Sequence, residues 1–188
     1  MDLSQHWETL VSIFLGIALA DVLMHLQALI HARRRVAWDA LPLVWTTIGV
    51  LWLFNYWWAV GLGLDGSPSV RTAGGFVLLA IPPVLLFVMS TSALPRNVPD
   101  VGTISLRDAW AENRSVFLPA LGLNQLSAWA VSCFARGQIV LDFPAFVRTT
   151  TLALVIAMLL IRSRRLEWFA AIVILASGIA RLSTQAVR

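Results

Sequence analysis

The chain has 188 residues, of which 59% are hydrophobic and 13% charged, with a mean hydropathy of +0.78. A soluble domain carries about 25% charged residues, so this balance excludes a disordered chain, a nucleic-acid module and an ordinary soluble enzyme, and it places the protein in a membrane. The net charge of +4 and the pI near 10.9 rest wholly on arginine, because all 14 basic residues are Arg; that bias reads as a GC-rich genome, and no nucleic-acid partner is expected.

Crossing about 30 Å of hydrocarbon takes about 20 mainly apolar residues. Six stretches approach or meet that length: Leu10–Ile30, Leu41–Leu62, Gly74–Leu94, Ser115–Phe134, Phe143–Ile161 and Leu166–Leu182. They are continuous apolar runs without the alternation of a barrel strand, so each is expected to be a helix. The expected fold is all-α: one polytopic domain over residues 1–188, with a short interfacial helix before the fourth span.

The first span follows an acidic segment containing Asp2, Trp7 and Glu8. Ala18-Leu19-Ala20 has the small residues of a signal-peptide cleavage site, but the positive leader such a site requires is missing, so the span is expected to stay uncleaved. Asp21 sits near its middle, and His25, four residues on, shares its face. An ionisable residue at membrane depth is a functional pointer. Gly16 and Ala20 form a small-xxx-small pair suited to close helix packing. His6 in the tail and His31 beside Arg33, Arg34 and Arg35 read as surface residues.

In the second span Trp45, Gly49, Trp52 and Tyr56 recur on one face. This stripe fits helix packing or lipid contact, and in an accessory subunit it would meet a partner. Asn55 is the polar residue of that span. Trp7, Trp38, Trp57, Trp58 and Trp168 fall near span ends, where indole rings favour the headgroup region. In the third span Pro82 and Pro83 remove amide donors and kink the helix, leaving a carbonyl free for another donor.

The segment Pro95–Arg114 is broken by Pro95, Pro99 and Gly102. Ser105 followed by Asp108 then reads as a capped helix start, and Ala109–Arg114, with Trp110, reads either as a helix lying on the membrane surface or as a helical extension of the fourth span. Asn124 and Gln125 fall at the centre of the fourth span, where Gln125, Ala128 and Ser132 share a face. Thr149, Thr150 and Thr151 lie in the fifth, and Ser177 precedes Arg181 in the sixth.

Nine arginines follow the first, third and fifth spans: Arg33, Arg34, Arg35, Arg96, Arg107, Arg114, Arg162, Arg164 and Arg165. Five belong to the opposite side: Arg71, Arg136, Arg148, Arg181 and Arg188. The positive-inside rule then expects the nine in the cytoplasm of a bacterial inner membrane and both termini outside. Six spans invite an inverted repeat, but no residue-level repeat is visible.

Motifs for zinc hydrolysis, a serine nucleophile elbow and a P-loop are absent. The one cysteine, Cys133, forms no metal motif, and only His25 is deep enough for a haem ligand, so no cofactor or metal is expected. Asp21, His25, Asn55, Asn124 and Gln125 are the candidates for a proton or ion path. They suggest a small homo-oligomeric channel or transporter for a proton, small cation or small polar solute. An accessory or assembly subunit of a larger membrane complex is the second expectation, and an intramembrane enzyme acting on a lipid-like substrate the third.

Overall fold

The computed structural model describes residues 3–61, 72–99, 102–139 and 141–185. Leu62, Arg71 and Arg188 lie outside the described residues, as does Asp2; for His6, Trp7 and Glu8 only the backbone is described. The described residues are overwhelmingly helical, and among them six helices are each long and apolar enough to cross a membrane. They are α1 (Leu3–His31), α2 (Ala40–Gly61), α3 (Ala73–Ser92), α4 (Leu106–Arg136), α5 (Phe143–Leu160) and α6 (Arg164–Gln185).

Local chemistry sets several of the helix ends. Before α2, Asp39 Oδ1 accepts the Leu41 amide at 3.0 Å. Before α4, Ser105 Oγ accepts the Asp108 amide at 3.3 Å, and before α5 Asp142 Oδ1 accepts the Ala145 amide at 3.0 Å. Each side chain satisfies a donor that the first helical turn leaves without a partner. At the other end of α4, Gly137 adopts φ 65°, the left-handed cap conformation that glycine enters without a Cβ penalty.

Of the two readings of the segment before the fourth span, the structure has the helical extension, and no separate interfacial helix forms. Ser105 starts a single helix of 31 residues, about 46 Å long at 1.5 Å per residue, that runs through to Arg136. Its first turns stand in the bundle instead of lying across its end. Trp110 is buried, and Arg114, polar by composition, turns inward to a carboxylate on α6. A second departure is a pair of two-residue strands, β1 (Val36–Ala37) and β2 (Ile104–Ser105), which pair in parallel with Val36 opposite Ile104. They tie the α1–α2 connection to the α3–α4 connection, helped by Arg35, whose Nη1 donates to the Pro99 carbonyl at 2.7 Å.

α3 packs most extensively on α4, α4 also on α5, α1 on α3, and α2 on α6, with α2 touching α1, α3 and α4 as well. The bundle interior is filled by Trp45, Ile48, Leu86, Met89, Phe117, Leu121 and Met158. α1 buries Val11, Leu15, Ala18, Val22 and Leu29 along one stripe. It is still the least covered helix: 22% of its apolar window is buried, against 50% in α2.

The small residues that permit close approach are not the pair expected on α1. Gly16 has no atom near the place a Cβ would occupy, and Ala20 is exposed. The tight contacts lie at Gly122, against Val155 of α5, and at Gly178, against Leu51 of α2.

Candidate functional site

Asp21 and His25 lie one turn apart at mid-helix on the rim of α1. His25 Nδ1 donates to the Asp21 backbone carbonyl at 2.8 Å and stands 3.2 Å from Asp21 Oδ2. Both side chains are largely covered, at 16% and 25% exposure for His25 and Asp21 respectively. Oδ2 of Asp21 is shut away from the surface, yet it accepts no well-aligned hydrogen bond.

The other three candidates do not join this pair. Asn55 Nδ2 donates at 3.1 Å to the Leu51 carbonyl of its own helix, while its buried Oδ1 has no partner. Asn124 reaches across to α3, where its Nδ2 donates at 3.1 Å to the Pro82 carbonyl, and Gln125 Nε2 donates at 3.4 Å to Asn124 Oδ1. Among the described residues no hydrogen bond or ion pair links Asp21 or His25 to Asn55, Asn124 or Gln125. The five residues form a rim couple, a local helix contact and an α3–α4 bridge.

α3 runs through Pro82 and Pro83, and donors from outside the helix serve the carbonyls around them. Tyr56 Oη donates at 3.0 Å to the Leu79 carbonyl, the acceptor whose ordinary partner, the amide four residues on, Pro83 removes.

The stripe Trp45–Gly49–Trp52–Tyr56 faces into the bundle and is not open to a partner. Trp45 and Trp52 are buried. Trp45 stacks on Trp110 with centroids 5.6 Å apart and planes within 9°, and Phe117 meets both rings edge-on. The face meets α3 at Gly49, α4 at Trp45 and α6 at Trp52. Trp38, Trp57 and Trp58, near helix ends as expected, are exposed.

Two charged clusters were not legible as such in the sequence. Near the α4 N-terminus, Arg114 Nη1 meets Glu167 Oε1 at 2.6 Å, and Trp110 Nε1 donates to Glu167 Oε2 at 3.1 Å. Arg114 Nη2 donates to the Met158 carbonyl at 2.6 Å, serving one of the last-turn carbonyls of α5 that the helix itself leaves open. This buried triad holds α4, α5 and α6 together. At the opposite end Arg148 and Arg181, two of the five arginines assigned to that side, lie inside α5 and α6 and are each only 8% exposed. Arg148 Nη1 donates to Ser132 Oγ at 2.9 Å, and the Arg181 guanidinium lies 5.8 Å over the Trp52 ring. The signal available in the sequence was depth: Arg148 falls five residues inside its helix.

On the arginine-rich side Asp39 Oδ2 and Arg164 Nη2 form an ion pair at 2.5 Å that ties the α1–α2 connection to the start of α6. Burial alone would push the Asp39 carboxyl up. The hydrogen bond from Arg164, the Leu41 amide and the positive charges of Arg164 and Arg107 outweigh it and hold the carboxyl below its usual range.

Among the described residues no group of three or more His, Cys, Asp or Glu side chains comes together as a metal site. Comparison of the chain with protein-family models, curated proteins and solved structures returned no match.

Proposed function

We propose that the protein is a multi-pass protein of a bacterial inner membrane that self-associates and passes a proton, a small cation or a small polar solute, with Asp21 and His25 as the titratable couple on the path. The observation that carries this reading is the couple's position at mid-helix on the rim of α1. A carboxylate at that depth costs about 2.5–3.5 kcal/mol on insertion scales, and such groups face a water-filled path or another subunit. Gly16 and Ala20, uncovered on the same helix, let a second backbone approach closely. Arg114, Arg148 and Arg181 turn inward and leave the loop census, yet arginine still predominates in the α1–α2, α3–α4 and α5–α6 connections. Under the positive-inside rule those connections are cytoplasmic and both termini lie outside.

The test is flux into liposomes holding the purified chain under a pH gradient. Asp21→Asn is expected to abolish flux or move its pH dependence while the protein still inserts and assembles. Unchanged flux in that variant overturns the proposed role. An accessory subunit of a larger membrane complex is the second reading. It is favoured by an interior filled with Trp45, Trp110, Phe117 and Met158, and by α1, the helix that carries the polar couple, being the least covered of the six. Native mass spectrometry in mild detergent separates the two, as a homo-oligomer supports the first and stably retained foreign subunits support the second.

A further inference from the structure

At the arginine-rich end, connections far apart in sequence are fastened into one face. β1 and β2 join the α1–α2 connection to the α3–α4 connection. There the Ile104 amide donates to the Arg35 carbonyl at 2.9 Å, and Arg35 Nη1 donates to the Pro99 carbonyl at 2.7 Å. The Asp39–Arg164 ion pair at 2.5 Å adds the start of α6. Arg33, Arg34, Arg96, Arg107, Arg162 and Arg165 stand exposed around these ties. Among the described residues few acids answer them. Asp39 is engaged by Arg164 and Glu167 by Arg114, which leaves Asp108 and Glu112, exposed on the first two turns of α4.

The helices fix the level of this face. Each of the six arginines lies within four residues of a helix end. When the apolar runs fill the hydrocarbon, the guanidinium groups therefore come to the headgroup layer and not to the bulk water beyond it. Trp38 marks the same level. It is 45% exposed in the α1–α2 connection, its Nε1 donates to the Arg33 carbonyl at 3.4 Å, and an indole favours the headgroup region. We propose that this face binds anionic lipids through their phosphate groups and collects them in the leaflet it meets. A basic cluster beside a span attracts anionic headgroups, and the planar fork of a guanidinium matches phosphate oxygens. Charge alone would suit an acidic protein as well. The level decides for lipid, because a soluble partner would have to displace the headgroups to reach these side chains. The inference rests on the membrane reading but uses neither Asp21 nor His25, so its failure would leave the flux test of that couple unaffected.

The experiment follows the thermal unfolding of the purified full chain in a neutral detergent. Phosphatidylglycerol, and separately zwitterionic phosphatidylcholine of equal chain length, is titrated in. A ligand that binds only the folded state raises the midpoint. The expected result is a rise with phosphatidylglycerol well beyond that with phosphatidylcholine. The difference should fade between about 0.1 M and 1 M salt, where the screening length shrinks from about 10 Å to about 3 Å. Changing Arg33, Arg34, Arg162 and Arg165 together to Gln should move half-saturation up by more than about tenfold. If that variant does not fold, the pair Arg33→Gln and Arg34→Gln replaces it, with a shift of about tenfold expected. Arg136→Gln, at the opposite end with its side chain 57% exposed, should leave the response as it is. An equal rise with phosphatidylcholine overturns the proposal. So does a response that the arginine variants leave unchanged, or that Arg136→Gln weakens as much. Soluble polyglutamate raising the midpoint as far as the lipid would also overturn it, and would make the face a docking surface for an acidic protein.

Discussion

Tyr56 of α2 donates its hydroxyl at 3.0 Å to the backbone carbonyl of Leu79, the acceptor that Pro83 strips of its helical amide. The two defects cancel, since a proline inside an apolar helix leaves an acceptor bare and a half-buried phenol needs a partner. Tyr56→Phe should therefore cost about 1 kcal/mol, the net worth of a hydrogen bond. In a Pro83→Ala background, where the Leu79 carbonyl regains an amide, the same change should cost less. Chemical or thermal unfolding of the four proteins of this double-mutant cycle measures the difference, and equal costs in both backgrounds would remove the link between Tyr56 and Pro83.

The triad of Arg114, Glu167 and Trp110 is a buried charge pair, and buried pairs punish the loss of one member more than the loss of both. Glu167→Gln keeps the shape, removes the countercharge and leaves Arg114 enclosed at 15% side-chain exposure. The expected cost is about 3 kcal/mol, at the lower end of the range for breaking such a pair. Arg114→Met combined with Glu167→Leu should recover most of that loss, because neither ion then has to be desolvated. Thermal unfolding in detergent gives the ranking, and a double variant weaker than Glu167→Gln would contradict it.

Asp39 gives the fold a predictable response to acid. Its carboxyl is held below the usual range in the folded state, so the folded chain binds that proton less readily than the unfolded chain does. The stabilisation is fully present above about pH 4, the ordinary aspartate value, and is lost as the pH falls through the depressed folded value. Asp39→Asn should lower stability at pH 7 and flatten the acid limb of a stability-against-pH curve below about pH 4. Arg164→Gln should shift that limb the same way, with a modest amplitude because Arg164 is 41% exposed. An acid limb identical to that of the parent chain in both variants would place the titration elsewhere.

Much of the fold was legible because its signals are local. Apolar run length located all six helices, Ser105 announced the α4 start, and the paired prolines announced a carbonyl in need of a donor. What escaped the sequence depends on partners far apart along the chain. Arg114 and Glu167 are separated by 53 residues, so the run Ala109–Arg114 looked like a polar surface helix until its arginine found a carboxylate inside. β1 and β2 have two residues each, too few to show a period of two. Arg148 and Arg181 lie within two turns of helix ends, where an exposed arginine and a buried one read alike. Asp21, His25, Asn55, Asn124 and Gln125 were identifiable one by one as polar groups at depth. Their dispersal was not, because it is set by the order of packing around the bundle, with α1 at the rim and α3 against α4.

Close packing of α4 on α5 turns on a residue that the sequence did not single out. Gly122 is buried, and a Cβ built there would stand 3.3 Å from Val155 Cγ1 and 3.6 Å from Leu152 Cδ1. That spacing is tighter than an ordinary methyl contact, so the neighbour must give way. Val155 is poorly placed to do so: it is 2% exposed, and its branched Cβ restricts the side chain to few rotamers in a helix. Gly122→Ala gains from the better helix propensity of alanine, about 0.8–1.0 kcal/mol, but overpacking a filled core costs about 1–3 kcal/mol. The second effect should win, and the variant should unfold at a lower temperature. Adding Val155→Ala removes the obstructing methyl, so the Gly122→Ala penalty should shrink or reverse in that background. A stabilising Gly122→Ala in the parent chain would mean that α5 yields at this contact, and the close approach would then contribute nothing to holding α4 and α5 together.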